Sequence, residues 1–369
     1  MRDVVELAVI GLGRMGTIHA RHARQIENDG GGCRLVALID TNRERSEKLA
    51  LELEGQGTAA IRRFTSVEEY LASGVGTAGI VATPTDRHRQ HTEALVAAGQ
   101  RVLLEKPMTE SLDSDRELAA QLNRGSPDAV MLAFQRRFDE PLLFARRLLQ
   151  EGAIGRPFKI VSILEDSTPV PDGYLSPGLL KDMSIHNVDE VLWLSGRAPA
   201  AACCLGSRIY SHRLTTAEED FDDGFLALWF DDEMTAQIQV SRNHVPGYRV
   251  ETWIFGEKGI IHAGHFEQRK DEAVVEAYSR DKPIAREVFR WEPYGLPAPE
   301  FVGRFGPAYK AEVAYFVRQC RSGEPFSVNQ NDGRRAMEVI EAASRATITR
   351  ENAASLRESP GERFPRRLV

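Results

Sequence analysis

Cysteine is scarce in this sequence, and the four cysteines lack the spacing of a metal site. They are Cys33, Cys203, Cys204 and Cys320, with no C-x-x-C pair among them. Closely spaced cysteines mark structural zinc sites and small disulfide-stabilised domains. We therefore expect no bound metal and reduced thiols in a cytoplasmic protein, with Cys203 and Cys204 on opposite faces of one strand.

Long hydrophobic runs and blocks of basic residues are also absent. No apolar stretch is long enough to cross a bilayer, and the first six residues hold no signal-peptide core. The net charge of −7 is spread over interspersed acids and bases, which disfavours nucleic acid and membrane partners. A small-molecule ligand is expected, and the length of 369 residues predicts two domains.

A glycine-rich pattern near the N-terminus predicts a dinucleotide site. The apolar strand Leu7-Ala-Val-Ile10 runs into Gly11-Leu-Gly-Arg-Met-Gly16 and then a helical stretch. In this order of strand, turn and helix, Gly11 permits the tight turn and Gly13 lets the backbone approach a pyrophosphate. Gly16 lets the helix pack closely against the strand, and the helix N-terminus offers amide donors to the phosphates.

The end of the second strand indicates which cofactor is bound. Its last residue is followed by Asp40, whose carboxylate can bind the adenosine ribose hydroxyls and would repel a 2′-phosphate. NAD is therefore predicted, although Arg43 could bind a 2′-phosphate and leaves NADP open. Alternating β and α patterns continue to residue 133, so we expect a doubly wound parallel sheet, an NAD-binding Rossmann domain, over 1–133.

The pattern changes over residues 134–369. Strands follow one another with few helices between about residues 201 and 289, and helical stretches at 309–322 and 333–349 close the chain. This predicts an α+β substrate domain with a large open, mostly antiparallel sheet. Because one face of such a sheet needs cover, a homodimer or homotetramer is expected.

A charged pair and a proline end the strand Val102-Leu-Leu104. Ligands of an open parallel sheet bind beyond the carboxyl ends of its strands, so Glu105 and Lys106 are expected at a site. Pro107 restricts the backbone of Lys106 and so fixes where the Lys106 side chain points. A bond before proline is also the one at which a cis peptide costs little energy. Taken alone, the same residues are typical of an ordinary strand end.

Three polar residues of the second half share helical spacing. Asp182, His186 and Asp189 stand at i, i+4 and i+7 and would line one stripe of a helix. A dehydrogenase needs a base for the hydroxyl proton and a positive group for the developing alkoxide, which His186 and Lys106 would supply. A carboxylate one turn away could fix the histidine tautomer. Such a stripe is also typical of a solvated helix face.

Together these motifs resemble the glucose-fructose oxidoreductase, inositol dehydrogenase and MocA-type (Gfo/Idh/MocA) family. The resemblance covers nearly the whole chain and is nearest to the inositol 2-dehydrogenases. The matching pieces are Gly11 to Ala20, Asp40, Thr83-Pro-Thr-Asp-Arg-His88, Glu105-Lys-Pro107, Phe134-Gln-Arg-Arg-Phe-Asp139, Asp182-x-x-x-His186-x-x-Asp189, Tyr248 to Gly256 and Arg304-Phe-Gly-Pro-Ala-Tyr309.

The resemblance implies a role for each matching residue. Lys106, Asp182 and His186 would be the catalytic residues, with His186 as general acid and base, Lys106 on the reacting hydroxyl, and Asp182 holding both in register. Arg136, Asp189 and Tyr309 would contact the substrate. The residues expected around the cofactor are Gly11, Gly13, Arg14, Met15, Gly16, Asp40, Thr83, Pro84, His88, Glu105 and Lys106.

These expectations amount to one function hypothesis with two alternatives. The hypothesis is an NAD-dependent dehydrogenase that oxidises a secondary hydroxyl of myo- or scyllo-inositol, or of a related cyclic sugar, to the ketone. The segment Glu165-Asp-Ser-Thr-Pro169 departs from the polar motif of inositol dehydrogenases and leaves the particular polyol open. The alternatives are an NADP-dependent aldose oxidoreductase and a cofactor-binding sensor without turnover.

Overall fold

The computed structural model describes residues 4–55, 60–166, 178–209, 221–264, 271–292 and 300–349. They form two sheets, one in each half of the chain. The loop that departs from the inositol dehydrogenase pattern falls mostly outside these residues, because the description stops at Asp166.

The first sheet has six parallel strands in the order β3-β2-β1-β4-β5-β6. The strands are β1 (Val5–Ile10), β2 (Cys33–Ile39), β3 (Arg62–Phe64), β4 (Ala78–Val81), β5 (Arg101–Leu104) and β6 (Val130–Leu132). The helices between them are α1 (Arg14–Asn28), α2 (Arg43–Glu54), α3 (Val67–Ala72), α4 (Thr85–Ala97) and α5 (Leu112–Gly125). The central strands are mostly apolar and buried, as a sheet covered on both faces requires. The predicted doubly wound domain is confirmed.

Three of these five helices have a side-chain cap at their N-terminus, and two do not. Asn42, Ser66 and Ser111 cap α2, α3 and α5 with a side-chain oxygen that accepts a backbone N–H. At α1 and α4 the cap positions are Gly13 and Pro84, and neither makes a side-chain cap hydrogen bond. Among the described residues, no side chain therefore caps the first turn of α1, as is typical of a phosphate-binding turn.

The second sheet has nine strands in the order β14-β13-β12-β11-β7-β10-β9-β8-β15. Only β10–β7 and β15–β8 pair in parallel, so the expected mostly antiparallel sheet is confirmed. The strands are β7 (Pro157–Glu165), β8 (Ala201–Ser207), β9 (Asp223–Trp229), β10 (Thr235–Ser241), β11 (Arg249–Gly256), β12 (Gly259–Gly264), β13 (Glu272–Ser279), β14 (Pro283–Arg290) and β15 (Thr347–Ile348).

Four helices complete the second half: α6 (Glu140–Gln150), α7 (Ile185–Ser195), α8 (Glu300–Ser322) and α9 (Gln330–Arg345). Helices α6, α7 and α9 pack on one face of the nine-stranded sheet. Helix α8 packs on α1, and α9 packs on α5, so the end of the chain returns to the first domain. This packing brings the two sheets together around one site.

Three boundaries differ from the sequence prediction. Helix α8 begins at Glu300 rather than after Pro307, because this proline lies inside the helix instead of ending it. Helix α9 ends at Arg345, and the β-branched pair Thr347–Ile348 forms β15 beside β8. A π-helical turn over Leu180–Ser184 precedes α7, so the regular helical spacing expected from Asp182 to Asp189 is interrupted.

The cysteines are free thiols, as predicted, with Cys204 buried and its neighbour Cys203 half-buried on β8. Within the described ranges, no group of His, Cys, Asp or Glu side chains could hold a metal ion. In the same ranges, no helix combines the length and apolar composition needed to span a bilayer.

Candidate active site

The end of β5 forms the floor of the candidate site. Glu105 is buried, and its Oε1 lies 2.7 Å from Nε2 of His19 on α1, while its Oε2 accepts a hydrogen bond from the Lys106 amide at 3.2 Å. The Lys106–Pro107 bond is cis. Burial opposes ionisation of Glu105, but contact with His19 and the charge of Lys106 prevail, so the pKa of Glu105 is lowered. A carboxylate therefore fixes the backbone beneath Lys106.

The Lys106 side chain reaches across to the second domain. Its Nζ donates to the backbone carbonyl of Asp182 at 3.0 Å and lies 3.5 Å from Asp182 Oδ1. Asp182 stands in the π-helical turn before α7, and its Oδ2 lies 3.6 Å from Nη2 of Arg242. The structure thus brings Lys106 and Asp182 together and adds an arginine.

His186 lies in the first turn of α7, edge-on to Phe134 at a ring-centroid distance of 6.4 Å. Burial lowers the pKa of His186 well below 6.5, and the positive charges of Lys106 and Arg136 lower it further. The ring is therefore neutral near pH 7. Its Nδ1 is buried and has no hydrogen-bond partner among the described residues, so the expected carboxylate contact at that atom is not formed.

Arg136 is enclosed beneath the site rather than open to solvent. Its Nη1 donates to Glu190 Oε2 at 2.7 Å, and the other Glu190 oxygen accepts from Ser162 at 3.0 Å and from Thr252 at 2.5 Å. Nε and Nη2 of Arg136 are buried without hydrogen-bond partners in the described part of the chain. Arg136 is therefore anchored to Glu190 through Nη1, and it also interacts with the side chain of Tyr248.

The other two predicted substrate residues are buried in separate contacts. Asp189 accepts two hydrogen bonds from Arg137, at 2.6 and 2.9 Å, and Arg137 also donates to Asp332 on α9 at 3.0 Å. Tyr309 packs edge-on against His19, with ring centroids 6.1 Å apart. Asp189 thus faces the junction of α7 and α9, whereas Tyr309 lies behind the Glu105 carboxylate.

The glycine turn has the shape that a dinucleotide requires. Gly11 has φ +84°, and a Cβ on Gly16 would lie 1.8 Å from the Gly11 carbonyl oxygen. A Cβ on Gly13 would meet nothing within 4 Å, so this glycine borders open space. The Leu12 amide donates to Asp40 Oδ2 at 2.7 Å and ties the turn to the end of β2. These residues fit an NAD molecule laid along the N-terminus of α1.

Two neighbours of this turn were also predicted to contact the cofactor. Arg14 is exposed at the start of α1, with its guanidinium 4.9 Å from the centre of the Phe301 ring. Met15 is half-buried beside it and packs on the hydrophobic core. Both residues border the turn from the side of α8.

Asp40 holds its position through backbone and side-chain contacts. Its Oδ1 accepts from the Asn42 amide at 2.8 Å, and Nη1 of Arg45 lies 3.3 Å from Oδ2. Arg43, the residue considered for a 2′-phosphate, pairs instead with Glu47 at 2.8 Å on the helix surface. Arg45 is thus the arginine that contacts Asp40.

His88 joins the two loops that follow β4 and β5. Its Nδ1 lies 2.9 Å from the Pro107 carbonyl oxygen, and its Nε2 lies 2.8 Å from the Thr83 carbonyl oxygen. Burial lowers the pKa of His88, although both carbonyls favour its protonated form. With Thr83 and Pro84 leading into α4, this histidine shapes the wall beside Lys106.

Comparison with known proteins gives the family. A model described as an oxidoreductase family with an NAD-binding Rossmann fold matches residues 5–133, and a GFO/IDH/MocA C-terminal domain model matches residues 142–262. The chain belongs to the GFO/IDH/MocA family. It is therefore an oxidoreductase, and its first domain is an NAD-binding Rossmann domain, as predicted.

Several members of this family resemble the chain over almost its whole length. It is 26% identical over 347 residues to inositol 2-dehydrogenase of Rhizobium meliloti, covering 93% of this chain and 96% of the relative. It is 27% identical to myo-inositol 2-dehydrogenase of Thermotoga maritima, covering 97% and 100%. The crystal structure of a Corynebacterium glutamicum myo-inositol dehydrogenase superposes with a TM-score of 0.77 at 26% identity, covering 93% and 96%.

Two charged residues beside the site of this GFO/IDH/MocA protein, Arg242 and Glu190, are not predicted from the sequence. Arg242 follows β10, which lies beside β7 in parallel, and nothing in the alternating pattern of β10 shows that pairing. Glu190 is fully buried against Arg136. A carboxylate among the apolar residues of α7 was the only available signal.

Proposed function

We propose that the protein is an NAD-dependent dehydrogenase that oxidises a secondary hydroxyl of myo- or scyllo-inositol, or of a related cyclic sugar, to the ketone. The observation that carries the proposal is the contact of Lys106 with Asp182 at the carboxyl edge of the first sheet, with the buried His186 close enough for the Lys106 charge to lower its pKa. The names of its relatives, inositol 2-dehydrogenases matched almost end to end, support the substrate class.

The cofactor would bind along the glycine turn. NAD, when bound, supplies the acceptor for the hydride. Gly13 and the first-turn amides of α1 would hold the pyrophosphate, and Asp40 would bind the adenosine ribose. Glu105, Thr83, Pro84 and His88 would line the far end of the site, where they already fix the backbone around Lys106.

The chain's own residues would move the proton. The Lys106 ammonium would bind the reacting hydroxyl and stabilise the negative charge that develops on its oxygen. The neutral imidazole of His186 would accept the hydroxyl proton, for which its lowered pKa keeps it unprotonated. Asp182 would hold Lys106 in place from across the domain junction. The carbon–hydrogen bond then breaks as the ketone forms.

The remaining pocket residues would have two different roles, binding the substrate or forming the wall of the pocket. Arg136, held by Glu190 through Nη1, would bind substrate oxygens with its remaining N–H groups. Asp189 and Tyr309 would form the wall behind His186 and Glu105 rather than contact the reacting atoms. We also retain the domain division at residue 133, a homodimer or homotetramer, and a cytoplasmic location as predictions.

The decisive test is reduction of NAD and of NADP with myo-inositol, scyllo-inositol, glucose, galactose and xylose. Turnover of an inositol with NAD is expected, and His186→Ala should reduce kcat by about 100-fold or more while NAD still binds. Retention of wild-type turnover by that variant would refute the proton-transfer role. Activity confined to NADP with aldoses would favour the second candidate, for which Arg45 beside Asp40 is the observation. NAD binding without turnover of any substrate would favour a sensor.

A further inference from the structure

His19 connects the helix of the glycine turn to the strand that carries Lys106. It lies in the second turn of α1, and its side chain is fully buried. Its Nε2 lies 2.7 Å from Oε1 of Glu105, the residue that directly follows β5. The ring therefore forms a buried polar contact between α1 and the end of β5.

The direction of this hydrogen bond follows from both of its partners. A carboxylate can only accept, so the proton lies on Nε2 of His19 and is donated to Oε1 of Glu105. Nδ1 of His19 is buried without a hydrogen-bond partner among the described residues, and a proton there would have no acceptor. Tyr309 packs edge-on against the ring, with centroids 6.1 Å apart, and limits its rotation.

The Glu105 carboxylate uses its two oxygens on two different segments. Oε1 accepts from His19, and Oε2 accepts from the backbone N–H of Lys106 at 3.2 Å. The backbone N–H of Glu105 itself donates to the Val81 carbonyl oxygen on β4 at 2.9 Å, so the main chain is held at two successive residues. Within the described residues, removal of His19 would leave the carboxylate with the longer of its two contacts and free it to rotate away from the Lys106 amide.

His19 also favours the charged form of Glu105. Burial opposes ionisation of this carboxyl group, and contact with His19 contributes most to the lowering of its pKa, ahead of the charges of Lys106 and His88. An ionised carboxylate accepts a stronger hydrogen bond than a neutral carboxyl group does. The same contact therefore orients Glu105 and strengthens its hold on the Lys106 amide.

On the side of α8, the groups that sense the charge of Glu105 could not replace His19. They are Tyr309 and Glu312, and neither carries a positive charge. Burial raises the pKa of both groups, and the negative charge of Glu105 raises it further. Loss of His19 would therefore raise the pKa of Glu105, and the backbone of Lys106 would be held less firmly.

We propose that His19 is a positioning residue of the dehydrogenase site, which holds Oε1 of Glu105 so that Oε2 fixes the backbone of Lys106. The catalytic meaning of this role rests on the proposed function. The contact joins the helix that would bind the cofactor pyrophosphate to the lysine that would bind the substrate. It would thus set the position of one reactant relative to the other.

The kinetic test compares His19→Leu with His19→Gln, using the polyol that the wild type oxidises. Leucine cannot donate a hydrogen bond, whereas the glutamine amide can donate to Glu105 from nearly the position of Nε2. His19→Leu should lower kcat on the order of 10-fold, because the ammonium of Lys106 is displaced. The KM for NAD should stay near the wild-type value, and the isotope effect on kcat should rise with substrate deuterated at the reacting carbon. His19→Gln should recover much of the loss.

The pH profile of kcat is a further readout of the same contact. The pKa of His186 is lowered by burial and that of Glu105 is also lowered, so neither should titrate in the wild type between about pH 6 and 8. In His19→Leu, kcat should fall toward the acidic end of that range as Glu105 becomes protonated. An equally flat profile together with an unchanged isotope effect would overturn the proposal.

Arg21→Gln is the matched control for helix α1. Arg21 donates to Glu52 of α2 at 2.7 and 2.9 Å, so this variant removes another contact between α1 and a carboxylate, on the side of α2 rather than β5. It should leave kcat unchanged. A loss of kcat in Arg21→Gln as large as in His19→Leu would overturn the proposal, because any loosening of α1 would then suffice. Equal losses of kcat and melting temperature in both His19 variants would overturn it as well.

Hydrogen exchange measures the link to Lys106 without turnover. In the protein without cofactor, the Lys106 amide should exchange at least about 10-fold faster in His19→Leu than in wild type, because Glu105 no longer holds it. Mass spectrometry of peptides that span Glu105 to Met108 detects this change, and peptides of α5 serve as the reference for overall stability. His19→Gln should match the wild type.

The exchange rate separates the two proposals. Unchanged exchange of the Lys106 amide in His19→Leu would overturn the role of His19, whatever the protein oxidises. If the wild type oxidises no polyol, the proposed function fails, and the exchange rate still decides whether His19 holds the Lys106 backbone.

Discussion

Glu312 on α8 is a buried carboxyl group whose pKa is raised by its surroundings. Its side chain is fully enclosed, and neither oxygen has a hydrogen-bond partner among the described residues. Burial raises the pKa of Glu312 well above 4.5, and the negative charge of Glu105 raises it further. A group whose pKa is higher in the folded state stabilises the fold below its unfolded pKa, and the contribution is lost as the pH rises.

Glu312→Gln removes this titration while preserving the shape of the side chain. As the pH rises from about 4.5, the wild type should lose free energy of unfolding relative to the variant, at about 1.4 kcal/mol per pH unit until the folded-state pKa is reached. Urea unfolding at pH 5, 6, 7 and 8 measures the difference. Glu110→Gln, an exposed substitution, should run parallel to the wild type. Parallel curves for Glu312→Gln would show that Glu312 is already ionised.

At the scale of residues, local motifs were predictable and long-range partners were not. Lys106 follows a strand at the edge of the sheet where ligands bind, so its sequence position predicts a site residue. Asp182 and His186 lie just before and at the start of one helix, so their spacing predicts that they are close together. The surroundings of Arg242 and Glu312 come from strand pairing and helix packing between segments that are distant in the sequence. Those contacts depend on the folded arrangement, which residue spacing does not encode.

The glycine turn before α1 permits a prediction at the scale of elements. Gly16→Ala should destabilise the protein without cofactor, because its Cβ would collide with the Gly11 carbonyl. Gly13→Ala meets no atom within 4 Å and adopts φ −68°, so the protein should fold as the wild type does. Its methyl group would instead occupy the space of the pyrophosphate and weaken NAD binding.

Thermal unfolding and NAD titration of the two variants separate these effects. Gly16→Ala should lower the melting temperature, whereas Gly13→Ala should change only the Kd for NAD. Equal melting temperatures for Gly16→Ala and wild type would mean that the turn relaxes around a methyl group. Unchanged NAD affinity in Gly13→Ala would place the cofactor elsewhere.

Elements with strong periodicity were predicted well, and those that depend on tertiary contacts were not. The six parallel strands and their helices follow from apolar runs and glycine stops. The π-helical turn over Leu180–Ser184 and the two-residue strand β15 have no periodic signal. Pro307 suggested a boundary that packing of α8 against α1 overrides.

The nine-stranded sheet leaves an apolar area on the face away from its helices. Leu205 on β8 is opposite Phe225 on β9, and Trp229 stands four residues along the same strand, so all three point to the same side. Their exposed fractions are 50%, 36% and 45%. Large apolar side chains grouped on one exposed face are typical of an interface, and this supports the proposed self-association.

The double variant Phe225→Lys/Trp229→Lys should therefore reduce the size of the assembly. Light scattering after size-exclusion chromatography should give a wild-type mass of two or four protomers and a smaller mass for the variant, because lysines facing each other across a symmetric interface repel and lose solvation. Leu51→Lys is the matched control, since Leu51 is 69% exposed on α2 of the other domain. It should leave the mass unchanged. A monomeric wild type would contradict the oligomer, and a double variant that keeps the wild-type mass would move the interface to another face of the molecule.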